Sequence, residues 1–144
     1  MPKQKRAGII WRTKNHDHLV VLGKDSMKWS FPKGQQEYCD KGDFRNTAWR
    51  EFTEETGITQ QDVVQSSLYE GTRLIGGVRF YRYLLNDEKQ LESLQSFKWS
   101  SPIDKYEIVG MKWLNLLNTA RSKKWNSSLR YYHQDFYTGL EEKN

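Results

Sequence analysis

R-E-F-T-E-E-T-G-I, Arg50 to Ile58, sets three glutamates (Glu51, Glu54 and Glu55) within five positions and then meets Gly57. At about 100° per residue on an α-helix, these carboxylates fall within an arc of about 100° and share one face. Trp49 and Phe52 turn elsewhere and can anchor the helix to a core. Crowded carboxylates repel one another, so the pattern suggests a divalent cation that neutralises them. Hard oxygen donors in that number suit Mg²⁺ or Mn²⁺. The same residues on an ordinary surface helix would be a solvated acidic face.

Asp43 is placed to cap a helix from about Phe44 to Thr56, with Gly57 as the left-handed residue after it and Ile58 as its apolar contact. Upstream, Trp29-Ser-Phe-Pro-Lys-Gly34 reads as a loop because of Pro32 and Gly34. Ala7–Trp11 and Leu19–Leu22 read as strands with a turn at Asn15–His18. Downstream, Gln60–Asp62 is turn-like, and Val63–Tyr69 and Arg73–Leu85 are strand candidates, the second interrupted by Gly76-Gly77. Asn86–Ser96 is a polar loop or short helix. Ile108–Leu114 alternates as a strand, and Leu116–Trp125 with Leu129, Tyr132, His133 and Phe136 has helical spacing. No repeat, linker or low-complexity segment appears. The expectation is one α/β domain over residues 1–144.

With 144 residues and 36% hydrophobic content, six Trp, eight Tyr and six Phe supply the large apolar area of the core. No apolar run approaches the ~20 residues that span a bilayer. The basic start, Met1 to Arg6, precedes only the short run Ala7–Trp11, too brief for a secretory core. Cys39 is the single cysteine, which excludes an internal disulfide and is compatible with a reducing cytosol. A soluble cytoplasmic protein with no membrane partner is the expectation. The net charge of +5 is uneven: residues 1–30 and 98–133 each carry seven Lys/Arg against two acids, whereas Gly34–Thr72 carries eight acids against three bases. An acidic centre between basic ends fits a metal site serving a polyanion; chance clustering on a solvated surface gives the same counts.

Phe31-Pro-Lys-Gly34 followed by Arg50-Glu-Phe-Thr-Glu-Glu-Thr-Gly-Ile58 resembles the signature box of the Nudix hydrolases. The fixed positions of its second half match at Arg50, Glu51, Phe52, Glu54, Glu55, Gly57 and Ile58. The first half departs: Gly34 to Ile58 is two residues longer than the family box, and Gly42 stands eight before Arg50, where the family has a glutamate. Glu37, Asp40 or Asp43 would have to supply that carboxylate, which in the family orients the arginine. The resemblance implies an αβα sandwich around a mixed β-sheet. It also implies Mg²⁺ or Mn²⁺ held by Glu51, Glu54, Glu55 and the backbone carbonyl of Gly34. Arg50 would then pair with a helix carboxylate, and Glu51, Glu54, Arg50 and Glu107 would serve catalysis. Glu107 fits the further acid that the family carries before its last sheet strand, with Asp104 in reserve. The F-P-K-G variant resembles members acting on long polyphosphates, where Lys33 would meet an extra phosphate as a point charge.

Trp29, beside that loop, is the first candidate for stacking on a base, with Trp11, Tyr81, Tyr83, Trp99 and Trp113 behind it. Arg121-Ser-Lys-Lys124 with Arg130 would suit an RNA backbone or a solvated helix face equally. His16, His18 and His133 have no metal-ligand spacing. The resemblance therefore implies a Mg/Mn-dependent pyrophosphohydrolase of nucleoside polyphosphates or of the 5′ end or cap of RNA. Dinucleoside polyphosphates and diphosphoinositol polyphosphates are the alternatives. From other classes come a catalytically silent nucleotide- or RNA-binding Nudix module and a nucleic-acid-binding module without a metal site.

Overall fold

Strand β1 (Arg6–Thr13) sends Ala7, Ile9 and Trp11 into one core and Ile10 into another on the opposite face. A strand buried on both sides belongs at the centre of a sheet. One edge of β1 is paired along its whole length, parallel, with β6 (Val78–Leu85), from Arg6↔Val78 to Thr13↔Leu85. The other edge is shared. Arg6–Gly8 pair antiparallel with β4 (Lys33–Gln35), and Arg12 pairs with His18 of β2 (Asp17–Gly23). Between those two pairings the sheet opens and the preceding loop enters. Phe31 is fully buried there, and the Ile9 N–H donates to the Pro32 carbonyl at 3.1 Å. A Cβ on Gly8 would collide with the Pro32 carbonyl, the Lys33 Cβ and the Phe80 ring, so only glycine lets β1 run beneath this loop.

The computed structural model describes residues 5–86 and 107–141. Among them, β3 (Trp29–Ser30) and β7 (Ile108–Asn115) pair with β2, and β5 (Ser67–Ile75) pairs with β6 across a Gly76-Gly77 turn. Both turn glycines have positive φ, 58° and 79°. Among the described residues seven strands thus form one mixed sheet. Helices α1 (Phe44–Thr56) and α2 (Gln60–Ser66) cover one face, where Trp49, Phe52 and Val63 meet Ile9, Trp11 and Tyr83. Helix α3 (Ser127–Glu141) covers the other face with Leu129, Tyr132 and Tyr137 against Ile10, Val20 and Phe80. This is the α/β sandwich around a mixed sheet implied above. Among the described residues no helix is long and apolar enough to cross a membrane.

Four expectations are corrected. Trp29–Gly34 is not wholly loop: it contributes β3 and most of β4, since backbone pairing with β2 and β1 overrides the Pro32 and Gly34 signals. Gln60–Ser66 is helix rather than a turn leading into a strand. Thr59 caps it by accepting from the Asp62 N–H at 3.2 Å, and only Val63 and Ser66 are buried. Residues 116–125 are irregular. Leu116 and Trp125 still reach the core, but turns held by Asn115 Oδ1 to Asn118 N–H and by Ser122 carbonyl to Trp125 N–H replace a helix. The helix begins after Asn126, whose Oδ1 accepts from the Leu129 N–H at 3.0 Å in the manner of an N-cap. Strand β2 begins at Asp17, inside the stretch read as a turn.

Candidate active site

Asp43 accepts from the Arg45 N–H at 2.8 Å, and Gly57, at φ 76°, donates its N–H to the Thr53 carbonyl at 2.9 Å. Both ends of α1 are therefore capped as its sequence indicates. The helix sets Glu51 and Glu55 against the Lys33–Gly34 backbone. Glu51 and Glu55 are only 8% and 4% exposed, so this is no solvated acidic face. A Cβ on Gly34 would overlap the Glu51 carboxylate, which places that carboxylate directly against the loop.

Arg50 organises the cluster. Its Nη1 donates to Glu51 at 2.9 Å and more loosely to Glu54 at 3.3 Å, and its Nη2 donates to the Gln35 carbonyl at 2.9 Å. The remaining fork is bidentate to Asp40: Nε to Oδ1 at 2.9 Å and Nη2 to Oδ2 at 3.0 Å. Asp40 also accepts from the Glu37 N–H at 2.8 Å and the Thr47 hydroxyl at 2.9 Å, and it is buried. Hence, of the three acids open in the sequence, Asp40 takes the guanidinium. Glu37 lies 3.7 Å away on the surface, and Asp43 caps α1. The longer first half of the box makes this possible. A 3-10 turn over Tyr38–Asp40 continues through Lys41 and Gly42, both at positive φ (55° and 75°), and folds Asp40 back beneath Arg50.

The Arg50 guanidinium, ahead of the hydrogen bonds from Glu37 and Thr47, holds Asp40 at about 2. A carboxylate depressed in the folded state contributes stability above its ordinary value near 3.8, and that stability is lost as pH falls towards 2. The contribution is about 2 kcal/mol. Asp40→Asn is expected to lower stability at pH 7 by about 2–3 kcal/mol. Urea midpoints should also show a flatter pH response between 4 and 2 in the variant than in the wild type.

Burial pushes Glu51 up to about 7, against the attraction of Arg50, with Glu54 and Glu107 adding to the rise. Burial also pushes Glu55 well above the usual carboxylate range, followed by the Glu51 charge; the Lys33 N–H, 3.4 Å from Oε1, opposes it. Two buried acids short of positive charge are what a divalent cation would relieve. As the side chains lie, no three His, Cys, Asp or Glu residues among those described are arranged to hold a metal. Arg50 draws Glu51 and Glu54 to itself while Glu55 faces Lys33. The donor set still fits: three carboxylates on one face of α1 beside a loop where Gly34 leaves room for the Glu51 carboxylate, all oxygen donors of the hard type.

A cleft of about 250 Å³ adjoins Glu55, lined also by Lys28, Lys33, Glu107 and Asn126. Glu107 directly precedes β7; its carbonyl accepts from the Lys24 N–H at 2.7 Å, and its carboxylate raises both Glu51 and Glu55. Asp104, the reserve, lies outside the described residues, as does Trp99. The structure brings together Lys33, Gly34, Arg50, Glu51, Glu54, Glu55 and Glu107. It does not bring Trp29 to the cleft lining. That indole leans on the second core, with the Lys112 ammonium 4.2 Å from its ring centre. Trp11, Tyr81 and Tyr83 are buried and Trp113 leans on the first core, so none of these rings faces the cleft. Lys28 and Asn126 escaped the sequence reading, since neither belongs to a motif and both reach the cleft only through tertiary pairing.

A family model of the NUDIX domain matches residues 2–136. No curated protein matches the chain. Among solved structures, a C. elegans Ap4A hydrolase binary complex aligns at 21% identity and TM-score 0.52, over 79% of this chain and 81% of that one. MutT protein from Methanosarcina mazei Go1 aligns at 16% and 0.56, over 99% and 97%. A bifunctional NMN adenylyltransferase/ADP ribose pyrophosphatase from Francisella tularensis, complexed with AMP and a Mn ion, aligns at 16% and 0.61, over 99% and 42%. At these identities the likeness is one of fold.

Proposed function

The chain belongs to the NUDIX domain family, hydrolases of acid anhydrides in phosphorus-containing compounds, and from that membership we propose a Mg²⁺- or Mn²⁺-dependent pyrophosphohydrolase. Its substrate is a nucleoside polyphosphate or the 5′ end of RNA, the cap included. The observation that carries this reading is the pair of buried carboxylates, Glu51 and Glu55, set against the Lys33–Gly34 loop beside a lysine-bordered cleft.

Glu51, Glu54, Glu55 and the Gly34 carbonyl would hold the cation. When bound, it would neutralise charge on the phosphate oxygens and acidify a water. Arg50, anchored by Asp40 and the Gln35 carbonyl, keeps Glu51 and Glu54 in position. Glu54, with a side chain 35% exposed, and Glu107, which lines the cleft, would take the proton of an attacking water. Lys33 meets a phosphate beyond the bond that breaks. The cleft's cations, Lys28 and Lys33, favour a ligand dense in phosphate.

The Ap4A hydrolase, by its name, acts on a dinucleoside polyphosphate, which supports that alternative here. Dinucleoside polyphosphates and diphosphoinositols are alternatives with the same anhydride chemistry. A silent nucleotide-binding module is disfavoured by the presence of all three glutamates. The test is a panel of capped RNA, triphosphorylated RNA, dinucleoside polyphosphates, sugar nucleotides and diphosphoinositols, with Mg²⁺ or Mn²⁺ and with EDTA. Cation-dependent cleavage of a nucleotide or RNA substrate is expected. No cleavage anywhere in the panel would end the hydrolase reading.

A further inference from the structure

Asn126 occupies an unusual position. Its Oδ1 is committed to the Leu129 N–H at the start of α3, yet the residue also lines the catalytic cleft, which leaves its amide NH₂ as the group it can offer there. Lys28 lines the same cleft, and among the described residues it makes no ion pair. A neutral donor and an unpaired ammonium together suit phosphate oxygens.

From Asn126 one face of α3 continues through Arg130 and Gln134, at i+4 and i+8, in steps of about 6 Å. Arg130 and Gln134 line a second, smaller cleft of about 70 Å³ with Arg121 and Tyr131. Neither arginine is ion-paired among the described residues, and Tyr131 is 51% exposed. Two unpaired guanidiniums flanking an exposed aromatic ring match single-stranded nucleic acid: cations for its backbone and a π-face for a base. A compact polyphosphate would have no use for the ring.

We infer that Lys28 and Asn126 form a second phosphate subsite in the cleft, and that the attached RNA strand leaves it along α3 over Arg130, Arg121 and Tyr131. This rests on the hydrolase reading and narrows its substrate to the 5′ end of RNA. The path would give a role to the basic stretch around Arg121, which lies in an irregular segment rather than on a helix.

The test is fluorescence anisotropy in EDTA with a 3′-labelled five-nucleotide RNA bearing a 5′-triphosphate, competed by a nucleoside triphosphate. The RNA is expected to bind at least ~10-fold more tightly than the nucleoside triphosphate, as a stacking contact and added phosphate contacts predict. Arg130→Glu and Tyr131→Ala should each remove most of that gain. Lys14→Glu, the same charge change at the exposed turn between β1 and β2 and outside the lining of both clefts, should leave it within about twofold. Glutamate is well tolerated in a first helical turn, so Arg130→Glu should fold. Asn126→Asp keeps the cap but puts a carboxylate in the cleft; it should weaken triphosphorylated RNA about 10-fold at unchanged melting temperature. Equal affinity for RNA and nucleoside triphosphate, or RNA binding unaltered by Arg130→Glu, would overturn the proposal. Tight RNA binding without cation-dependent cleavage would support it while counting against the hydrolase reading.

Discussion

Glu55→Gln is expected to lower kcat at least ~10³-fold on any substrate the protein cleaves, the equivalent of losing about 4 kcal/mol of transition-state stabilisation. The substitution preserves shape, and the amide oxygen can still accept from the Lys33 N–H that Glu55 now engages. What disappears is the negative charge, which burial and the neighbouring Glu51 make costly. Function and stability should therefore separate. Folded-state carboxylates raised above their ordinary value bind protons that the unfolded chain releases, so stability falls as pH rises through that interval. In EDTA the wild type should lose stability between about pH 4.5 and 7, the span of the Glu51 shift. Glu55→Gln should lose less, because one of the repelling charges is gone. Thermal melts at pH 5 and 8 beside steady-state kinetics check both halves. Undiminished turnover in the variant would remove Glu55 from the chemistry.

Gly34→Ala should cost about 100-fold or more in kcat/KM while changing stability by less than about 1 kcal/mol. The added methyl falls on the Glu51 carboxylate, the free end of a flexible side chain. That end can swing away, so the fold survives, but it cannot then stay against the loop beside Glu55. Gly34 has no positive φ, so alanine brings no backbone strain and the effect isolates carboxylate placement. Shortening the acid should compensate. Gly34→Ala combined with Glu51→Asp is expected to regain about tenfold over Gly34→Ala alone, a non-additivity typical of touching residues. If the double variant is simply worse, the loop and Glu51 do not act together.

What the sequence disclosed was local. Asp43, Gly57 and the spacing between them bound α1 correctly because a helix cap depends on residues within one turn. β1 and β7 were legible from their apolar content and alternation. α2 was not, since Gln60, Gln61 and Asp62 carry no apolar period and its stability comes from Thr59 and a single buried valine. The 116–125 stretch has helical spacing of apolar residues, yet its hydrogen bonds close turns. The pairing of Lys33–Gln35 with Arg6–Gly8 is a long-range event that no loop signal encodes.

In the site, residue types and the shared face of the glutamates could be read directly; burial and partner choice could not. Glu37, Asp40 and Asp43 are equivalent acids in a short loop. Only the left-handed turn at Lys41–Gly42 and the hydroxyl of Thr47 select Asp40. Trp29 is adjacent to the loop in sequence but turns onto Lys112 and the core. Asn126 reaches the cleft because its backbone N–H donates to the Trp29 carbonyl at 2.9 Å, a contact between segments far apart in the chain.

The most direct measurement is a calorimetric titration of Mn²⁺ into metal-free wild type and into Glu55→Gln near pH 7, in buffers of differing ionisation enthalpy. The expected result is saturable binding to the wild type with release of protons, because Glu51 and Glu55 must give them up to become ligands. Binding to Glu55→Gln should be at least ~100-fold weaker. A wild type that binds no Mn²⁺, or a variant that binds it equally well, would contradict a cation held by the carboxylates of Arg50–Ile58.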